Sequence, residues 1–142
     1  MYGVDINPLA IKKGNEWLLQ NEISNIKLLE GKADELGQFQ DKSFDVVFTD
    51  AVLTYIGPDK IETVIKDLIR ITRKALILVE WYNFGSDQKD PSGHGIYYKG
   101  LWKRNYMNLI KQFAPEDQMI EVKFDLSEGT FINNKDDADL VR

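Results

Sequence analysis

Two short apolar runs bracket a helical stripe, and that arrangement limits the folds open to this chain more than any other feature. Phe44-Asp45-Val46-Val47-Phe48 and Ala75-Leu76-Ile77-Leu78-Val79 are nearly continuous in apolar character, as strands of a parallel sheet covered on both faces are. Between them Pro58 and Asp59 start a helix, in which Ile61, Val64, Ile65, Leu68 and Ile69 recur at a period near 3.6. The same alternation opens the chain. A strand that starts at or before Met1 closes on Val4-Asp5-Ile6. Asn7 then suits a helix cap and Pro8 a first helical position. Ala10, Ile11, Gly14, Trp17 and Leu18 fall on one face of that helix, and Ile26 to Leu29 reads as a second strand ended by Gly31. Strands alternating with helices predict an α/β domain with a largely parallel sheet.

The second half reads less regularly. Gly85 to Gly95 is rich in Gly, Ser and Asp and reads as a loop. A helix is expected from Leu101 to Phe113, stopped by Pro115, and a strand from Met119 to Phe124. Asn133 to Asp137 is a polar turn, and Asp139 to Arg142 reads as a last strand that closes an antiparallel pair. A length of 142 residues fits one domain, 1–142. The chain has no cysteine and one histidine, which excludes a disulfide scaffold, a thiol nucleophile and the usual metal sets. A net charge of −5 argues against a nucleic-acid partner. No apolar run approaches the roughly 20 residues of a membrane span. These features point to a cytoplasmic domain with a small-molecule ligand and no membrane partner.

In parallel α/β sheets, ligands sit beyond the carboxyl ends of the strands. Asp5 ends a strand there; a carboxylate in that place accepts hydrogen bonds from vicinal ribose hydroxyls, or else simply favours the helix start. Ile6 either packs on a purine face or belongs to the core. In Lys32-Ala33-Asp34-Glu35-Leu36, backbone amides reach a purine edge and Asp34 or Glu35 accepts from an exocyclic amine; the competing reading is a charged surface loop. Asp50 is a general base or a helix cap, and Tyr55 a pocket wall or a packed aromatic. Glu80-Trp81-Tyr82-Asn83 builds a substrate wall or packs at a sheet edge. His94, between two glycines, is a proton acceptor that closes over substrate or an exposed loop residue. Arg104 binds an anionic group or, more simply, is a solvated cation on an aromatic-packed helix.

The order and spacing of three motifs resemble the class I S-adenosylmethionine (SAM)-dependent methyltransferases. Tyr2-Gly3-Val4-Asp5-Ile6-Asn7-Pro8 with Ala10-Ile11 is similar to their second-strand motif. Ser43 to Asp50, followed by Val52-Leu53 and Tyr55-Ile56, is similar to the fourth, and Arg73 to Glu80 to the fifth. The resemblance implies a Rossmann-like three-layer α/β sandwich, mostly parallel with a C-terminal antiparallel strand pair. It implies that Asp5 holds the cofactor ribose, Ile6 packs on adenine, Ala33 and Asp34 meet the adenine edge, and Asp50 to Leu53 lie at the methionine end. Lys32 stands where many members carry an acidic residue. The reaction implied is methyl transfer to a small-molecule acceptor, with Asp50, Tyr55, Glu80 and His94 as candidate catalytic groups and no metal.

The family's first strand and glycine-rich turn have no counterpart in this sequence, and that strand would lie between the second and the fourth. The chain is therefore expected to be a truncated methyltransferase domain impaired in transfer. Three outcomes are open: Met1 is a truncation or misassigned start of a full enzyme, the second strand pairs directly with the fourth in a rearranged sheet, or a second copy supplies the pairing as a homodimer or by strand exchange. The competing reading is a non-catalytic, methyltransferase-like module that binds a partner or itself. A nicotinamide-binding Rossmann protein is a further alternative.

Overall fold

The computed structural model describes residues 1–81, 92–115, 118–120, 122–125 and 130–133. Strand β1 (Tyr2–Asp5) leads into helix α1 (Pro8–Gln20), then β2 (Lys27–Glu30). A 3-10 turn at Leu36–Gln38 precedes β3 (Phe44–Asp50), and another at Leu53–Tyr55 precedes helix α2 (Ile61–Ile71), which runs directly into β4 (Thr72–Val79). The second half holds β5 (Ile96–Tyr98), β6 (Leu101–Lys103), helix α3 (Tyr106–Ile110), β7 (Val122–Asp125) and β8 (Thr130–Asn133). As the sequence predicts, the first four strands come with crossover helices and pair in parallel, β1 with β2 and β3 with β4.

One continuous sheet does not form among the described residues. β1 pairs with β2, β3 pairs with β4, and no ladder joins β1 to β3. Direct pairing of the second-strand and fourth-strand motifs, one of the outcomes left open by the sequence, is thus absent among the described residues. Side chains join the two halves instead: the Tyr2, Phe39 and Phe44 rings meet edge-on, with centroids 5.2–6.1 Å apart. Arg70 adds a polar staple from α2, donating to the carbonyls of Leu36 and Phe39 and to Asp41 and Asp67.

The core gathers around α2. Ile61, Val64, Ile65, Leu68 and Ile71 are buried with Leu36, Leu53, Tyr106 and Leu109, and Val47, Leu76 and Leu78 pack against them from β3 and β4. The strands alternate, so their other face carries Val46, Phe48, Ile77 and Val79, which are 41–65% exposed. α1 is capped as expected, Asn7 Oδ1 accepting from the amides of Leu9 and Ala10. Its inward face is narrower than expected. Leu18 is buried but Trp17 is 56% exposed, because a two-stranded sheet is too narrow to cover the whole stripe.

The helix expected from Leu101 to Phe113 is divided. Lys99 and Gly100 take φ values of 48° and 89°, the left-handed pair of a two-residue hairpin turn, and fold Leu101–Lys103 back on Ile96–Tyr98. Asn105 then starts α3, its side chain accepting from the Asn108 amide at 2.9 Å. The antiparallel pair near the C-terminus is β7 with β8, earlier in the chain than expected. The last strand predicted at Asp139 to Arg142 lies outside the described residues, as do positions 82–91 of the cluster and loop. No helix among the described residues is long and apolar enough to cross a membrane.

Candidate functional site

The first group of candidates stands at the carboxyl ends of β1 and β2. Asp5 Oδ1 accepts from the Asn7 amide at 2.7 Å, so the residue that caps α1 also orients the carboxylate. Ile6 follows with 66% of its surface exposed, an apolar side chain left in solvent between a strand and a helix. It lines an open cleft of about 480 Å3 with Glu30, Gly31, Lys32 and Glu35. Gly31 lets the cleft floor close on β1: its amide donates to the Asp5 carbonyl, and a Cβ there would stand 3.2 Å from Val4 Cγ1. Lys32 and Glu35 pair at 2.9 Å. Ala33 is half-buried and packs on the core. Asp34 points elsewhere, to Lys60 Nζ at 2.6 Å, and that ammonium holds its carboxyl below the usual range. Glu30 was not among the sequence candidates. It is the in-register partner of Asp5, and only the β1–β2 pairing reveals that.

The second group stands at the ends of β3 and β4. Asp50 is exposed, and Ala51 turns the chain with φ 51° while its amide donates to the Val79 carbonyl. Glu80 accepts from the amides of Val52 and Leu53 at 3.1 Å and Thr54 at 3.3 Å. The Glu80 carboxylate therefore caps the 3-10 turn from a neighbouring strand. Leu53 has no exposed surface and sits in the core, whereas Tyr55, in the same turn, is 68% exposed. Trp81 is exposed; Tyr82 and Asn83 lie outside the described residues.

His94 and Arg104 occupy unexpected places. The His94 ring meets Glu62 of α2 at 2.8 Å, between glycines in left-handed conformations rather than in an open loop. Arg104, expected in solvent, has no exposed surface, because the β5–β6 hairpin returns it under the turn after β3. The structure thus brings Glu80, Thr54 and Arg104 into one network, and keeps the His94 ring on α2.

The His94 contact, with Lys66 beside it, holds the Glu62 carboxyl below its ordinary value of 4.5. A depressed carboxyl contributes stability that is complete above the unfolded-state value and is lost as pH falls through the folded-state value. Glu62→Gln is therefore expected to unfold with a midpoint that falls less steeply below pH 4.5 than wild type. Thermal melts of both proteins across that range check this; parallel curves would show that the pair carries no such linkage.

A family model described as a methyltransferase domain matches residues 1–113. Among solved structures, a SAM-dependent methyltransferase from Methanosarcina mazei is similar at TM-score 0.60 and 18% identity, over 92% of this chain and 76% of its own. YcgJ from Bacillus subtilis is similar at TM-score 0.61 and 16% identity, over 87% of this chain and 54% of its own. PigF, in a structure with SAH, gives TM-score 0.53 and 14% identity, over 87% of this chain and 39% of its own. This chain spans about half the length of YcgJ. Comparison with curated proteins finds no match. The likeness shows a Rossmann-like α/β fold.

Proposed function

The chain belongs to the methyltransferase-domain family, and from that premise we propose that it takes part in SAM-dependent methyl transfer to a small-molecule acceptor in the cytoplasm. The carrying observation is the open cleft lined by exposed Ile6 and by Glu30, with Asp5, the in-register partner of Glu30, at the adjoining strand end. Such a cleft suits an adenosine: an apolar surface for the base and a carboxylate for the ribose hydroxyls. In this reading Asp5 takes the ribose, Ile6 the adenine face, and the backbone around Ala33 the adenine edge. Both carboxylates are engaged, Asp34 by Lys60 and Glu35 by Lys32, and of the two Glu35 lines the cleft, so in this reading Glu35 rather than Asp34 faces the exocyclic amine.

Asp50 and the backbone to Leu53 form the methionine end. When bound, the cofactor supplies an electrophilic methyl on its sulfonium. The protein's part is to align the acceptor in line with that methyl and to receive a proton where the acceptor carries one. Asp50 and Tyr55, both exposed, are the groups free to do so, with Glu80 and His94 holding their surroundings.

Calorimetric titration with S-adenosylhomocysteine tests the reading. The expected result is binding that Asp5→Ala weakens by about tenfold or more, the loss of one or two charge-assisted hydrogen bonds. No heat up to millimolar ligand, by protein shown to be folded, would reject it. Tighter binding of a nicotinamide cofactor would move the function to that class.

The uncovered face of β3 and β4 favours a second reading, a module that pairs with another copy of itself. Val46, Phe48, Ile77 and Val79 form one apolar surface there, of the kind that marks interaction sites. Sedimentation is expected to show concentration-dependent dimers, and Phe48→Lys to remove them while leaving the unfolding midpoint of the dilute, monomeric protein unchanged. A wild type that stays monomeric at high concentration would reject the dimer.

A further inference from the structure

Arg104 is buried to zero exposure, a costly place for a guanidinium unless its N–H groups find acceptors. They find backbone carbonyls. Nε donates to His94 at 2.8 Å, one terminal nitrogen to Leu53 at 2.7 Å, and the other to Ile56. The Trp102 ring centre lies 5.7 Å from the guanidinium carbon, and the Trp102 carbonyl accepts from Thr54 Oγ1 at 3.2 Å. From the end of β4, Glu80 takes the amides of Val52, Leu53 and Thr54. One short turn thus has its donors held by a carboxylate and its acceptors held by a guanidinium. Tyr106, buried in the core, sits close enough to both to feel their charges. Gly95 completes the fit: a Cβ there would stand 2.8 Å from Arg104 Cγ.

The turn held in this way presents Tyr55, 68% exposed, between the two carbonyls that Arg104 grips. Asp50 lies five residues before Tyr55. The third carbonyl, from His94, belongs to the strap that leads into the β5–β6 hairpin. We propose that Arg104 and Glu80 are positioning residues of the transfer site: they fix residues 52–56 so that Tyr55 and Asp50 hold one place at the methionine end, and they tie that turn to the 93–95 strap. The proposal rests on the methyltransferase reading given above. A lysine cannot substitute, because a single ammonium lacks the planar fork that spans separated acceptors.

The test compares wild type, Arg104→Lys and Glu80→Gln, each well below its own unfolding midpoint. Calorimetry with S-adenosylhomocysteine gives the affinity, and amide exchange followed by NMR gives the order of residues 52–56. Arg104→Lys is expected to stay folded, to lose about tenfold in protection at Leu53 and Thr54 relative to α2, and to bind about tenfold more weakly. A merely structural role would lower the midpoint and leave the affinity of the folded protein unchanged, and that result overturns the proposal. Should Arg104→Lys not fold, Glu80→Gln decides by the same two readouts, since its amide nitrogen cannot accept from Thr54. A wild type without affinity for S-adenosylhomocysteine sinks the methyltransferase reading and the positioning role with it. A wild type that binds, beside variants that bind equally well, sinks the positioning role alone.

Discussion

Leu53→Ala is expected to lower the stability of the folded chain by about 3.5 kcal/mol, the middle of the range for a buried leucine cut to alanine. Leu53 has no exposed surface and belongs to the same cluster as Ile61, Val64 and Ile65. Its backbone is held at both ends, the amide by Glu80 and the carbonyl by Arg104, so the turn cannot slide inward to fill the space. The lost methyls therefore leave a cavity, and the cavity adds to the transfer cost. Tyr55→Ala, two residues along, removes a larger side chain that is 68% exposed, and is expected to change stability by no more than about 0.5 kcal/mol. Urea denaturation of the two variants gives the comparison. A Leu53→Ala loss below that of Tyr55→Ala would mean that the turn does not rest on the core. The same pair separates two places at one turn: the Leu53 side chain belongs to the core, and the Tyr55 side chain stands in solvent.

The parts of this fold that follow from local pattern are legible in the sequence. The Asn7-Pro8 start, the α2 stripe and the two apolar strands around it need only their own residues, and they form where expected. What depends on partners distant in sequence is not legible. Glu30 joins the cleft because β1 and β2 pair in one register. Arg104 is buried because Lys99 and Gly100 turn the chain back, and a lysine in a left-handed conformation announces nothing, whereas Asn-Gly would have. The Asn105 cap does carry a sequence signal, a side-chain acceptor just before an apolar run, that could have divided the expected helix. The gap between β1 and β3 among the described residues carries no local signal. Composition and periodicity alone would have drawn a continuous sheet.

Gly93→Ala should destabilise the chain far more than Gly100→Ala, although both glycines are left-handed, with φ 74° and 89°. At Gly100 a Cβ would meet nothing within 4 Å, so the substitution costs only the backbone strain, about 1 kcal/mol. At Gly93 a Cβ would stand 2.7 Å from the Leu109 amide nitrogen and 2.8 Å from the Asn105 carbonyl oxygen. Those are backbone atoms of α3 and its cap, and no rotamer change relieves them. The helix would have to move, and it carries Tyr106 and Leu109 in the core. Overpacking adds to the strain, for a total of about 3 kcal/mol. Urea midpoints of the two variants measure the difference directly, and equal losses would show that Gly93 does not approach α3. The consequence reaches the site as well. His94, next in sequence, gives its carbonyl to Arg104, so a displaced strap withdraws one of the three acceptors under the turn. Gly93→Ala is therefore expected to weaken S-adenosylhomocysteine binding by the folded protein, while Gly100→Ala leaves it unchanged.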